Sequence, residues 1–151
     1  MALRILVVDD EETDRHLIYG ALQSAMPDSL IEEMSSGPQL IAWVDKERSR
    51  MLSDPAGPDT LVTIVLLDMH MPILTGLQTI HVLGDRRDLG YMPIVMLTAS
   101  LDSHLKQQAY EQGVHLVLGK PAGPYGFYRV VEAVKQCYRD TLHMRNQLEW
   151  G

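Results

Sequence analysis

Three short apolar runs, each closed by a charged residue, constrain this chain more than any other feature. Asp9 and Asp10 follow Arg4-Ile-Leu-Val-Val8, Asp68 follows Leu61-Val-Thr-Ile-Val-Leu-Leu67, and Lys120 follows Leu116-Val-Leu-Gly119. Runs this short and this rich in Val and Ile read as buried strands, and the longer stretches between them have helical period. If the runs lie parallel, their C-terminal ends line one crevice, where a carboxylate cluster can hold a divalent metal beside a lysine. Such a constellation can accept and hold a phosphoryl group.

The rest of the chain fits that alternation. Leu17, Ile18, Ala21, Leu22 and Ala25 recur at helical spacing, with Thr13 or Asp14 as the N-cap, and Pro27-Asp28 ends the helix. Leu30 to Met34 reads as a second strand and Ser35-Ser36-Gly37 as a turn. Pro38 opens a helix with Leu40, Ile41 and Val44 inward. A third helix follows Thr75, and Leu77, Ile80 and Leu83 form its inner face. Pro93 to Leu97 is a fourth strand. Asp102 caps a fourth helix ending near Gly113, and His115 to Leu118 is a fifth strand. After Gly123-Pro124, a long helix carries Phe127, Val130, Val131, Val134 and Tyr138 on one stripe. Five strands alternating with five helices predict a parallel sheet covered on both faces, with the functional crevice outside the strands' carboxyl ends. Lys46 to Thr60, containing Asp54-Pro55-Ala56-Gly57-Pro58, reads as an extended loop, more a tolerated surface insertion than a binding loop.

The bulk numbers remove several classes. A chain of 151 residues predicts one domain with a real core. Its net charge of −7 argues against a nucleic-acid partner. A lone cysteine, Cys137, fits a reducing compartment, and no segment is apolar enough to span a membrane. With no secretory signal, a cytoplasmic location is expected. The nine methionines read as core filling, and His16, His81, His104, His115 and His143 as surface or helix-face residues. Trp150 is placed to pack on the last helix or on a partner.

Taken singly, the site residues have ordinary explanations. Asp9-Asp10-Glu11-Glu12 is a solvated acidic face or, at the end of a buried strand, a group of oxygen ligands for a hard cation. Asp68 is a turn former or, with Asp10 nearby, a nucleophile or metal ligand. The loop after it, Met69-His70-Met71-Pro72 to Gly76, is shaped by Pro72 and by the backbone freedom of Gly76. Lys120 is a surface lysine or a point charge for phosphate oxygens. Thr98, after Ile94-Val-Met-Leu97, adds a hydroxyl.

In combination, the order of acid pair, Asp, Thr and Lys-Pro on successive strand ends is specific. It resembles the receiver domain of two-component response regulators. The matching segments are Ile5-Leu-Val-Val-Asp-Asp-Glu11, Val65-Leu-Leu-Asp-Met-His-Met-Pro72 with Gly76, Val95-Met-Leu-Thr-Ala99, and Gly113 with Lys120-Pro121. The resemblance covers about residues 4–140 and implies a single receiver domain over 1–151, acting alone. The fold it implies is α/β and flavodoxin-like, a doubly wound five-stranded parallel sheet of order 2-1-3-4-5 with five helices. It implies that Asp68 is the phosphoacceptor, attacking a phosphohistidine on a sensor histidine kinase or histidine phosphotransfer protein. Asp10 would ligate Mg²⁺ directly, Asp9 directly or through water, and Asp68 and the backbone carbonyl of His70 would complete the protein ligands. Lys120 and Thr98 would hold phosphoryl oxygens. The chain would switch its affinity for a partner or relay the phosphoryl group, and a downstream target, or a second copy, would meet the face made by helix 4, strand 5 and helix 5. Such a chain catalyses its own aspartyl phosphorylation and dephosphorylation and is not otherwise an enzyme.

Three residues depart from the family's habits. Val117 stands where a Tyr or Phe usually reports phosphorylation, and its stiff β-branched side chain cannot swing as an aromatic ring does. His70 occupies a position that often tunes hydrolysis in the family, where it restricts the attacking water, donates to the phosphoryl group, or simply faces solvent. Ser100 is small and neutral, so slow dephosphorylation is expected. Two rival readings follow. One is a weakly phosphorylated or phosphorylation-independent interaction module, suggested by Val117 and His70. The other is a Mg²⁺-dependent phosphatase with an aspartyl nucleophile, which usually carries Asp where this chain has His70.

Overall fold

The β-branched runs cannot satisfy their backbone groups alone, and in the computed structural model they do so as one parallel sheet. The structure describes residues 2–54, 61–84 and 92–150, with side chains as far as residue 147. The elements are β1 (Leu3–Val8), α1 (Glu12–Ala25), β2 (Leu30–Met34), α2 (Gly37–Ser53), β3 (Val62–Asp68), α3 (Gly76–Leu83), β4 (Ile94–Thr98), α4 (Ser103–Glu111), β5 (Leu116–Gly119) and α5 (Pro124–Trp150). The sheet order is β2-β1-β3-β4-β5, the flavodoxin-like order expected, and every pairing is parallel.

Period-2 alternation splits the core into two layers. Leu6 and Val8 of β1 with Val65 and Leu67 of β3 face one way, against Leu40 of α2 and Ile80 of α3. Ile5 and Val7 with Ile64 and Leu66 face the other, against Ile18 of α1 and Val134 of α5. Strands β1, β3 and β4 are buried on both sides, which is why they read as continuous apolar runs. Met34, Met69, Met71 and Met96 are core residues in the first layer, and Met26 is one in the second.

Several boundaries differ from the sequence reading. Helix α1 begins earlier than expected, with Glu11 rather than Thr13 or Asp14 at the N-cap and no side-chain hydrogen bond there. Residues 46–53 belong to α2 and are not loop; the remainder of the expected loop, 55–60, lies outside the described residues. The hydrophobic stripe through Leu40 and Val44 has no breaker before Asp54-Pro55, so the helix continues to that point. Gly113, at φ 92°, lies just past α4 as expected. Helix α5 runs on to Trp150, beyond the expected core limit near residue 140; the Trp150 side chain lies outside the described residues.

The start of α2 is fixed by Ser36, whose hydroxyl accepts from the Gln39 N–H at 3.3 Å while the Gln39 amide oxygen accepts from the Ser35 N–H at 2.8 Å. Ser36→Ala is expected to lower unfolding free energy by about 1 kcal/mol, read by urea denaturation. A loss below a few tenths would mean that this cap contributes nothing.

Candidate phosphoryl-transfer site

The register of the sheet assembles the site. Val8 of β1 pairs with Leu67 of β3, so Asp9 and Asp68, each the next residue, come to adjacent positions. Thr98 of β4 pairs with Gly119 of β5, which places Lys120 one residue further along the same edge. Each strand end is held in place by one more ladder bond. The Asp9 N–H donates to the Met34 carbonyl at 3.0 Å, the Met69 N–H to Leu97 at 2.8 Å, and the Lys120 N–H to Thr98 at 2.7 Å.

Asp9, Asp10 and Asp68 each offer a carboxylate oxygen, and these atoms lie within 4.8 Å of one another. Asp9 and Asp68 are buried, at 1% and 2% exposure, whereas Asp10 is exposed. Burial first, and then the neighbouring Asp9 charge, push the Asp68 carboxyl up to about 6, with Lys120 opposing. Lys120 Nζ sits 3.2 Å from Asp9 Oδ2, 3.4 Å from Asp68 Oδ2 and 3.1 Å from Asp14 Oδ2. Burial opposes the charge on this ammonium, but the carboxylates of Asp68, Asp14 and Asp9 outweigh it and hold its pKa well above the ordinary lysine value.

The donor set fits a hard divalent cation. Three carboxylates converge, two of them removed from water. Asp9 Oδ2 is buried with no hydrogen-bond partner; its Lys120 neighbour is a charge contact without hydrogen-bonding geometry. A buried carboxylate oxygen lacking a donor is a poor structural element and a good metal ligand. Its other oxygen accepts from the Glu11 N–H at 2.9 Å, which fixes the carboxylate plane.

The expected residues converge, with several refinements. His70 is exposed, yet its Nε2 lies 3.4 Å from Thr98 Oγ1, so it belongs to the rim of the site. The Thr98 hydroxyl donates to the Ser100 carbonyl at 3.0 Å and accepts from the Ser100 N–H at 3.2 Å, an arrangement that holds it ready beside the crevice. Gly76 is required for a reason other than unusual φ. It opens α3, its N–H donates to the Met69 carbonyl at 2.8 Å, and a Cβ there would stand 2.8 Å from the Asp68 carbonyl oxygen. The left-handed residue of this loop is Ile73, at φ 71°, a conformation that costs a β-branched residue strain. Val117 is buried in the core, and its N–H donates to the Tyr110 hydroxyl at 3.1 Å.

Two residues were misread from sequence. Asp14, one of two residues expected as the α1 N-cap, instead reaches Lys120. Its place in the first turn of a helix that leaves directly from Asp9-Asp10 brings it to the mouth of the site. His115, expected to be merely a surface or helix-face residue, is largely buried and pairs with Asp140 at 2.9 Å.

A doubly wound sheet with this acid trio and lysine at its carboxyl edge defines a class of aspartate-centred signalling domains. The sequence profile of the response regulator receiver domain matches residues 5–132, and the chain belongs to that family. Among similar proteins, the cyclic di-GMP phosphodiesterase response regulator RpfG of Xanthomonas campestris is 26% identical over 82% of this chain and 29% of its own length. The response regulator UvrY of Escherichia coli is 26% identical over 97% of this chain and 59% of its own length. This chain therefore spans less than two thirds of either relative's length. In fold, it resembles the Mn²⁺-bound response regulator Rcp1 with a TM-score of 0.66 at 21% identity, covering 89% of this chain and 93% of that one. Receiver domains of this family work with histidine kinases and phosphotransfer partners. No described helix is long and apolar enough to cross a membrane.

Proposed function

We propose that this chain is a phosphoacceptor receiver, with Asp68 as the nucleophile and residues 1–151 as one receiver domain. The observation that carries the reading is the convergence of Asp9, Asp10 and Asp68 within 4.8 Å beside Lys120. An Asp68 oxygen attacks the phosphorus of a phosphohistidine on a sensor kinase or phosphotransfer protein. The P–O bond forms as the P–N bond breaks, and the imidazole nitrogen leaves with the electron pair and takes up a proton. Asp9, Asp10, Asp68 and the His70 carbonyl would hold Mg²⁺, which supplies the charge neutralisation that two approaching anions need. Lys120 and the Thr98 hydroxyl then receive the phosphoryl oxygens. Movement of both toward Asp68 is the charge event that biases the domain's two states. With Val117 fixed in the core, the change travels through Thr98, Ser100 and α4 to the face of α4, β5 and α5, where a target protein or a second copy binds. The setting is cytoplasmic. Exposed, neutral Ser100 offers little to orient water, so the aspartyl phosphate decays slowly; loss of label within seconds would contradict this.

Incubation with Mg²⁺ and a small-molecule phosphodonor, followed by intact mass, tests the reading. An added phosphoryl group is expected. No addition on the wild type would leave a phosphorylation-independent interaction module in its place.

The metal component has its own readout. In metal-free protein the Asp68 carboxyl should titrate near 6, followed by ¹³C NMR, because burial and Asp9 disfavour its charge. Mg²⁺ should move that midpoint down, since a cation favours the ionised form. A metal-free midpoint near the ordinary aspartate value, or one indifferent to Mg²⁺, would count against a cation held by Asp68.

A further inference from the structure

Lys120 has one partner that the cation cluster does not explain. Of its three carboxylate contacts, the shortest is to Asp14 Oδ2 at 3.1 Å, against 3.2 Å to Asp9 and 3.4 Å to Asp68. Asp9 and Asp68 belong to the trio whose oxygens converge within 4.8 Å; Asp14 does not. It stands in the first turn of α1, where the helix dipole favours a carboxylate, and it remains about one-third exposed at the mouth. Once a cation engages Asp9, Asp10 and Asp68, Asp14 still contacts the lysine, with the Glu11 carboxyl beside both. A phosphoryl group on Asp68 competes for the same ammonium.

We infer that Asp14 is a positioning residue for this site: its carboxylate holds the Lys120 ammonium on the α1 side of the mouth and must release it before the lysine closes on a phosphoryl group at Asp68. This rests on the phosphoacceptor reading of Asp68. Asp14 thereby sets the poise between the two states, because part of what Lys120 gains from the phosphoryl oxygens is offset by what it gives up at Asp14. A partly exposed pair of this kind shifts the equilibrium by about two- to fivefold.

The test uses the full chain, Mg²⁺ and fluoroberyllate as the phosphoryl mimic, with affinities from calorimetry. Asp14→Asn is expected to tighten fluoroberyllate binding by about two- to fivefold, measured at saturating Mg²⁺. Asp14→Glu should stay near wild type. Glu12→Gln, which removes a charge from the same helix turn, should have the smaller effect. In a Lys120→Gln background, Asp14→Asn should give no gain. The inference is overturned if Asp14→Asn does not tighten binding, if Glu12→Gln matches it, or if the gain survives without Lys120. If the wild type binds Mg²⁺ but no fluoroberyllate, the phosphoacceptor reading fails and takes this one with it. If the wild type binds both, only Asp14's role is at stake.

Discussion

Asp68→Asn is expected to take up no phosphoryl group from a small-molecule donor or a kinase, because the amide oxygen is too weak a nucleophile to attack phosphorus. Intact mass reads this directly, and phosphoryl addition equal to wild type would move the acceptor elsewhere. The same variant should be the more stable protein at pH 7 without metal. The Asp68 carboxyl titrates near 6 in the fold against an unperturbed 3.8. A raised acid contributes most to stability below its unfolded value and loses that contribution as pH rises through about 6. At pH 7 the wild type therefore carries the cost of a buried, ionised carboxylate facing Asp9, and the neutral amide removes it. The gain is on the order of 1–3 kcal/mol, at about 1.4 kcal/mol per pH unit. It should shrink at pH 4 and shrink again when Mg²⁺ stabilises the wild type. Equal melting temperatures for the two proteins at pH 7 in a chelator would show that the site is not strained by its own charge.

Gly76→Ala is expected to have the second-largest effect, on both folding and chemistry. The added Cβ would lie 2.8 Å from the Asp68 carbonyl oxygen and 3.0 Å from Met69 Cα. Both are backbone atoms at the end of a central strand, so no side chain can rotate away to make room. The start of α3 must withdraw from β3, weakening the Gly76 N–H bond to Met69 and opening the loop that carries His70. A loss of about 1–3 kcal/mol in unfolding free energy is expected, of the size found when buried sites are overpacked. Because the displaced backbone carries Asp68, the surviving folded protein should also bind Mg²⁺ more weakly. Wild-type stability together with wild-type Mg²⁺ affinity would show that α3 shifts freely and that Gly76 does not position the site.

The strand-end residues were legible because a parallel sheet turns sequence position into spatial position. Val8, Leu67, Leu97 and Gly119 close runs that must pair, so Asp9, Asp68, Thr98 and Lys120 emerge at one edge once the strand order is known. The helix start after Thr75 and the turn at Ser36 were legible because both side chains act within three residues of themselves. The helical residues 46–53 were hidden by the Pro- and Gly-rich segment just beyond them. Asp14 was hidden because its function depends on the angle at which α1 leaves β1, which no local pattern encodes. Its spacing from Asp9 is equally consistent with a cap.

The alternation of apolar periods determined the doubly wound sheet, and the charges at the run ends determined which edge carries the chemistry, since hydrophobic burial and strand pairing act on patterns written along the chain. Tertiary structure alone decided that Lys120 answers to three carboxylates, that one Asp9 oxygen is left without a donor, and that Gly76 stands against the backbone of Asp68. Those facts depend on contacts between segments far apart in sequence, and such contacts are fixed to within a few tenths of an ångström only when the two core layers pack.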